Sequence, residues 1–227
     1  MEKKIDTWVI IPARGNSKEL KFKNYLKINN KPLIYYTIDF AKKIGVSNII
    51  LSSENKKILS YALSQKITIH KRSKNLSNDN VHASKVVLQC ISDFKIPLND
   101  IVIMLLPTFP IRDITVFKKK IFEFKKSKFK SLIGIKWLGV YQNNLRYIEK
   151  GKLIAKDISL TQRQMARKVY SVDGSIFASK VKNLLNQKFF HYKKNVMFIK
   201  NNFGVDLNTK EDLKILKKSM KKTLGFF

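Results

Sequence analysis

The residues best placed to do chemistry come early. Trp8-Val-Ile-Ile-Pro-Ala-Arg-Gly-Asn-Ser-Lys18 runs an apolar segment straight into Ala13, Arg14, Gly15, Ser17 and Lys18. Glu19-Leu-Lys-Phe-Lys-Asn24 then adds Lys23 and Asn24. A buried strand ending in small residues, amide donors and cations can hold a chain of phosphates, because the strand fixes the loop while the loop neutralises charge. Three linked phosphates carry about four negative charges, so several cations and amides are needed to hold and polarise them. The spacing is neither GxxxxGK[ST] nor GxGxxG, which excludes a Walker loop and a dinucleotide fingerprint.

A sheet must position these groups. Strand-length apolar runs alternate with segments of helical period, which predicts an α/β fold with a largely parallel sheet covered on both faces. Strands are expected at Trp8–Ala13, Asn48–Ser52, Lys66–His70, Ile101–Leu106, Ser131–Trp137 and Ser175–Ala178. Lys31-Pro32 opens a helix, with proline in its first turn and Ile34, Ile38 and Ala41 as its apolar stripe. Further helices are expected from about Asn55 to Leu63, along Val87, Ile91 and Phe94, along Phe117, Ile121 and Phe124, and ending near Gln187. In the last helix Thr209 and Asp212 match a capping box, and Leu213, Leu216, Met220 and Leu224 form the buried stripe. From Gly139 to about Lys156 the pattern breaks into short polar pieces, the candidate for a protruding arm on a single domain spanning 1–227. Ligands of open α/β sheets bind beyond the carboxyl ends of the strands, where the phosphate loop falls.

Composition narrows the class. A hydrophobic fraction of 44% is ample for a core, and no apolar stretch approaches the roughly 20 residues of a membrane span. Lys3-Lys4 is followed by Ile5-Asp6, and Trp8–Ile11 is too short for a secretory core, so a cytoplasmic protein is expected. The lone Cys90 excludes an internal disulfide and lies beside a helical stripe, as a core thiol does. The net charge of +30 passes the first test for nucleic-acid binding. Yet the lysines are spread along the whole chain, and clusters such as Lys118-Lys119-Lys120 and Lys221-Lys222 fall on the polar faces of expected helices. No nucleic-acid partner is expected, and weak attraction to anionic substrates is the simpler consequence of the charge.

The Trp8–Asn24 spelling resembles the N-terminal signature of the cytidylyltransferases that make CMP-activated 2-keto-3-deoxy sugar acids. These are the CMP-sialic acid synthetases and their pseudaminic and legionaminic relatives. The resemblance runs nearly the whole length and implies a three-layer, Rossmann-like nucleotide-diphospho-sugar transferase fold with a small protruding dimerisation element. It implies activation of a sialic-acid-like sugar acid with CTP for cell-surface polysaccharide, with Mg²⁺ as cofactor and a homodimer as the assembly. On this likeness Ala13, Arg14, Ser17, Lys18 and Lys23 hold the triphosphate, Asn24 lies near the nucleoside, and Arg14, Lys18 and Lys23 stabilise the leaving diphosphate.

Arg72, in Lys71-Arg72-Ser73, matches the arginine that reads cytosine, a task suited to a planar fork of donors. Ser84 matches less closely a small hydroxyl residue beside the base. Nearby His82 reads either as a general base or as a surface histidine at a helix start. Leu105-Leu106-Pro107-Thr108-Phe109-Pro110-Ile111-Arg112 is similar to the family's Leu-Leu-Gln-Pro-Thr-Ser-Pro-Leu-Arg, with Leu106 in place of a sugar-contacting glutamine and Phe109 in place of serine. Arg112 reads equally as a brace for the following helix. Gln162-Arg163-Gln164 resembles the element whose arginine holds the sugar carboxylate, making Arg163 and Gln164 substrate residues. Asp173-Gly174-Ser175-Ile176-Phe177 is similar to an Asn-Gly-Ala-Ile-Tyr strand entry, with Ser171 where an arginine is usual. Phe189 and Phe190 resemble an aromatic pair inserted over the sugar by a neighbouring subunit, although paired phenylalanines are as readily core. Val205-Asp206-Leu207-Asn208-Thr209 resembles the Asp-x-Asp-Thr metal element, with Asp206 as the first ligand and Asn208 in place of the second.

Glu19, Leu106, Ser171 and Asn208 all depart from otherwise matching motifs. A catalytically altered or inactive paralogue therefore stays open beside the enzyme, and a basic nucleic-acid-binding protein stays open on charge alone.

Overall fold

The first strand, β1 (Thr7–Pro12), explains its own composition. Val9 and Ile11 join one apolar cluster and Ile10 joins another, and all three are fully buried. A strand covered on both faces reads as an unbroken apolar run. The computed structural model describes residues 5–17, 19–78, 80–155, 165–190, 193–201 and 204–223.

After β1 come a short hairpin, β2 (Lys27–Ile28) and β3 (Lys31–Pro32), and helix α1 (Leu33–Lys43). Pro32 is the residue that caps α1 and lies just outside it, because its fixed φ suits the extended cap. Next are β4 (Asn48–Ser53), α2 (Lys56–Ser64), β5 (Thr68–Lys71), α3 (Ala83–Asp93), β6 (Ile101–Met104) and α4 (Ile114–Lys126). The remainder comprises β7 (Ser131–Tyr141), a second hairpin of β8 (Tyr147–Glu149) and β9 (Lys152–Ile154), β10 (Lys168–Lys180), α5 (Val181–Gln187), β11 (Val196–Lys200) and α6 (Lys210–Thr223).

Seven strands form one sheet in the order β11-β7-β10-β6-β1-β4-β5, and β10 alone runs against the others. Helices α1, α2 and α4 supply one apolar layer, while α3 and α5 supply the other. This is the three-layer α/β fold expected from the alternating pattern. The chain works outward from β1 through β4 to β5 and then returns to β6 on the far side of β1, so a crevice opens beyond the carboxyl ends of β1 and β6.

A third apolar cluster decides what stands beside that crevice. Leu216 and Met220 of α6 pack with Leu207, Leu20, Ile28 and Leu33, which brings the C-terminal segment over the 20–33 segment. The expected capping box is present: the Asp212 carboxylate accepts from the Thr209 amide at 2.7 Å, and Thr209 Oγ1 accepts from the Asp212 amide at 3.1 Å. Leu224 of the expected stripe lies outside the described residues.

Two strands exceed their sequence signal, and three, β2, β3 and β11, lie outside the expected set. The N-terminal half of β10 alternates between exposed and half-buried, so it lacks the apolar run that marks Ser175–Ala178. The outer end of β7 is likewise exposed. β11 is a five-residue edge strand that pairs with β7, and its short apolar run Val196–Ile199 was the available signal.

Candidate active site

The described residues form a cleft at the mouth of the sheet, where several strand ends converge. Pro12, Arg14, Ser17, Lys23 and Asn24 line one side, and Arg72, Leu76 and Ser77 line another. Leu106, Pro107 and Thr108, just beyond β6, form part of the wall, with Val81, Ala83 and Val86 as apolar neighbours. The expected phosphate loop and the expected base-reading arginine therefore face the same cavity although they are far apart in the chain.

The loop is tied down from several directions. Asn24 Nδ2 donates to the Arg14 carbonyl at 2.8 Å, while Asn24 Oδ1 is buried without a partner among the described residues. Ala13 is fully buried and its amide donates to the Ser52 carbonyl at 2.9 Å, so it fixes the loop and does not itself line the cleft. Glu19 is exposed and is not part of the lining, and its charge acts on the site through Lys23, whose pKa it helps to raise. Lys18, Arg163 and Gln164 lie outside the described residues.

Lys23 connects this loop to the expected metal element. Its Nζ donates to Asn208 Oδ1 at 3.0 Å, and Asn208 Nδ2 donates to Asp206 Oδ2 at 2.9 Å. Burial lowers the Lys23 pKa and Arg14 adds to that effect, while Asp206 pulls it back. Asp206 Oδ1 is buried with no hydrogen-bond partner among the described residues, an unspent hard oxygen that suits a divalent cation. Asn208 Oδ1, by contrast, is already engaged by Lys23. The residues present fit Mg²⁺ through the one carboxylate of Asp206, and Asn208 sits as the link between Lys23 and that carboxylate.

Arg72 is buried, and its Nε and Nη2 donate to Glu54 Oε2 at 3.0 and 2.9 Å, which leaves Nη1 as the guanidinium nitrogen not engaged by a described residue. Glu54 had no role in the sequence reading. It stands immediately after β4, and its Oε1 also accepts from the Gly15 amide at 2.6 Å. An acidic residue at the carboxyl end of an expected strand, next to the helix-capping Asn55, was the available signal. Burial works against ionisation of Glu54, but the Gly15 amide, its own amide and the Arg72 guanidinium hold its carboxyl below the usual range.

Several expected roles are revised. Ser84 is fully buried within the first turn of α3, so it does not face the cleft; Ala83 and Val86 do. His82 caps that helix, its Nδ1 accepting from the Ser84 amide at 3.2 Å. Phe190 is fully buried against Phe177 and belongs to the core, because its position after α5 turns it inward under the sheet. Only Phe189 is exposed, with its ring edge-on to His82. Phe109 is likewise core, seated so tightly on Gly204 that a Cβ there would lie 1.7 Å from the ring.

Arg112 braces the cleft wall and leaves the following helix to Asp113, which caps it. Its Nε donates to the Ser175 carbonyl at 2.8 Å, Nη2 to the Leu106 carbonyl at 2.8 Å and Nη1 to Thr37 Oγ1 at 3.2 Å. Burial pushes it down to about 9 while Asp173 and Asp206 raise it, so it remains a cation at neutral pH. Asp173 occupies the register shift in β10 where a Cβ on Gly134 would meet its Oδ1 at 2.3 Å. Burial raises the Asp173 carboxyl against the opposing pull of Ser175 and Arg112.

One other polar cluster has catalytic components. Ser52 Oγ lies 2.8 Å from His70 Nδ1, and His70 Nε2 lies 2.9 Å from Asp93 Oδ2. Ser52 is fully buried and away from the cleft, so the chain of contacts braces β4, β5 and α3 with no route to a substrate. Cys90 beside it is buried and its thiol is pushed up to about 12, as a core thiol requires.

Comparison with known proteins places these features. A family model described as cytidylyltransferase matches residues 8–222. The chain is 27% identical over 216 residues to a pseudaminic acid cytidylyltransferase of Campylobacter jejuni, covering 92% of this chain and 93% of that protein. It is 26% identical over 222 residues to the CMP-N,N'-diacetyllegionaminic acid synthase of Legionella pneumophila, covering 93% and 94%. Among solved structures, a CMP:2-keto-3-deoxy-manno-octonic acid synthetase complexed with CTP has the same fold, with a TM-score of 0.72 at 13% identity over 96% of this chain and 99% of that one. With its sheet, its loop and almost its entire length accounted for, the chain belongs to the cytidylyltransferase family and is a nucleotidyltransferase.

Proposed function

We propose that this chain transfers the cytidylyl group of CTP to the anomeric hydroxyl of a 2-keto-3-deoxy sugar acid, giving the CMP-sugar and diphosphate. The observation that carries the reading is the meeting of Arg14, Ser17, Lys23 and Asn24 with Arg72 in one cleft of a cytidylyltransferase-family chain. Its full-length relatives include enzymes named for pseudaminic and legionaminic acids.

In the reaction the hydroxyl attacks the α-phosphorus in line and diphosphate leaves. Arg14, Lys18 and Lys23 stabilise the charge that builds on the leaving group. Arg72 reads the base through the nitrogen that Glu54 leaves open, and Asn24 offers its buried oxygen near the nucleoside. Arg163 holds the acceptor's carboxylate, which supplies orientation. Mg²⁺ held by Asp206 would supply neutralisation of the phosphate oxygens and favour loss of the attacking hydroxyl's proton. Leu106 gives the acceptor pocket an apolar wall where a polar one is usual, and so selects among acyl substituents.

A homodimer is part of the same proposal. The outer ends of β7 and β10 and the β8–β9 hairpin expose Trp137, Leu138, Ile148, Leu153 and Val172, with Ile148 79% and Leu153 71% accessible. An apolar ladder of that kind is costly to leave in water and suits a second copy. No helix among the described residues is long and apolar enough to cross a membrane, and we place the reaction in the cytoplasm, beside the CTP supply.

The test is diphosphate release from CTP and Mg²⁺ with a panel of sialic, legionaminic, pseudaminic and octulosonic acids. One acceptor is expected to stand out. Asn208, with its oxygen spent on Lys23, favours a second reading as a catalytically altered paralogue; release that is flat across the whole panel selects it.

A further inference from the structure

Glu54 is a half-buried carboxylate placed at the edge of a site meant for an anion, where it would repel the ligand unless its charge were consumed. It is consumed. Oε1 accepts from the Gly15 amide at 2.6 Å, and Oε2 accepts from Arg72 Nε, Arg72 Nη2 and Ser77 Oγ at 3.0, 2.9 and 3.1 Å. One side chain thus joins the phosphate loop after β1, the arginine after β5 and the turn at Lys74–Ser77. Only a residue without a Cβ lets the loop come this close to the turn that carries Glu54: a Cβ at residue 15 would lie 2.7 Å from Asn55 Cβ and Nδ2.

We propose that Glu54 is a positioning residue for nucleotide recognition, fixing the phosphate loop and the base-reading arginine as one rigid unit. This rests on the reading above, that the cleft takes CTP. Two nitrogens of a planar guanidinium held by a fixed carboxylate set the direction of the third, Nη1. An unheld arginine would have to be ordered at the moment of binding, at a cost in rotamer entropy. The tie to Gly15 sets that nitrogen in register with the loop holding the phosphates. Cytosine presents an acceptor at N3 where uracil presents a donor, so a correctly aimed N–H favours cytosine and a wandering one favours neither.

The experiment uses the full chain. Binding of CTP and of UTP is measured by calorimetry for the parent and for Glu54→Gln, Arg72→Lys and the double variant, with steady-state kinetics alongside. Glu54→Gln keeps the shape of the side chain but loses its charge. It is expected to weaken CTP binding roughly tenfold, about 1.4 kcal/mol, and UTP binding much less. The CTP KM is expected to rise while kcat stays within about threefold. The double variant is expected to lose little more than the worse single one, as coupled residues do. A purely structural role would lower melting temperature and active fraction while leaving the CTP-to-UTP ratio of the folded protein unchanged. A folded Glu54→Gln protein with parental CTP affinity, or losses that simply add with those of Arg72→Lys, would overturn the proposal. Should Glu54→Gln not fold, Glu54→Asp replaces it. The shorter side chain keeps the charge but cannot span both ties, and a parental CTP-to-UTP ratio there is equally fatal. A parent protein that binds no CTP sinks the functional reading as well, which separates the two failures.

Discussion

Replacing Arg112 with lysine tests how the cleft wall is held. The side chain is buried and distributes three donors in different directions: to the Ser175 carbonyl of β10, to the Leu106 carbonyl after β6, and to Thr37 of α1. Lysine retains the charge but concentrates its donors on one nitrogen, so it can serve one of these acceptors well and leaves two short. A buried acceptor without its donor costs about 1–3 kcal/mol. The Thr37 contact, at 3.2 Å the longest of the three, sets the lower end. With one carbonyl also lost, the expected loss is about 2–4 kcal/mol, a large part of a domain stability of about 5–15 kcal/mol. Leucine is expected to cost more, because it also leaves the Asp173 carboxylate without its buried cation. Urea unfolding at neutral pH, with the slope compared between variants, measures the difference. If Arg112→Lys unfolds within about 0.5 kcal/mol of the parent, the three contacts are not what holds Leu106 and Pro107 against β10.

Other substitutions probe separate parts of the site. Asn208→Asp places a second carboxylate beside Asp206 and is expected to lower the Mg²⁺ concentration for half-maximal activity roughly tenfold; magnesium titration of diphosphate release checks it, and no change would place the cation elsewhere. Glu54 has a lowered native pKa, so its contribution to stability is full above the ordinary value of 4.5 and is lost as pH falls through the native value. The melting-temperature gap between the parent and Glu54→Gln is accordingly expected to be widest near neutrality and to close in acid. Ile148→Asp with Leu153→Asp alters two highly exposed side chains, so a dimer is expected to dissociate in sedimentation with little change in melting temperature. A monomeric parent would remove that part of the proposal.

Local pattern carried a good deal. The run from Trp8 to Ile11 specified a strand buried on both faces, since only such a strand needs consecutive apolar residues. Thr209 and Asp212 announced the last helix because a capping box is a contact between near neighbours. The stripes of Phe117, Ile121 and Phe124, and of Val87 and Ile91, fixed which faces meet the sheet. Glycine, arginine, lysine and asparagine immediately after β1 marked the expected phosphate loop, because strand and loop are contiguous, and the structure sets Arg14, Ser17, Lys23 and Asn24 along the cleft. What local pattern could not supply was partnership between distant segments. Lys23 and Asn208 meet only because α6 packs over the 20–33 segment. Glu54 joins Gly15 to Arg72 only because β1, β4 and β5 lie side by side with their carboxyl ends together. Nothing in the string of residues distinguishes Phe190, sealed in the core, from Phe189, exposed beside His82. Periodicity reports which face of an element is apolar, whereas strand order and crossover direction decide which side chains from remote elements come within bonding distance.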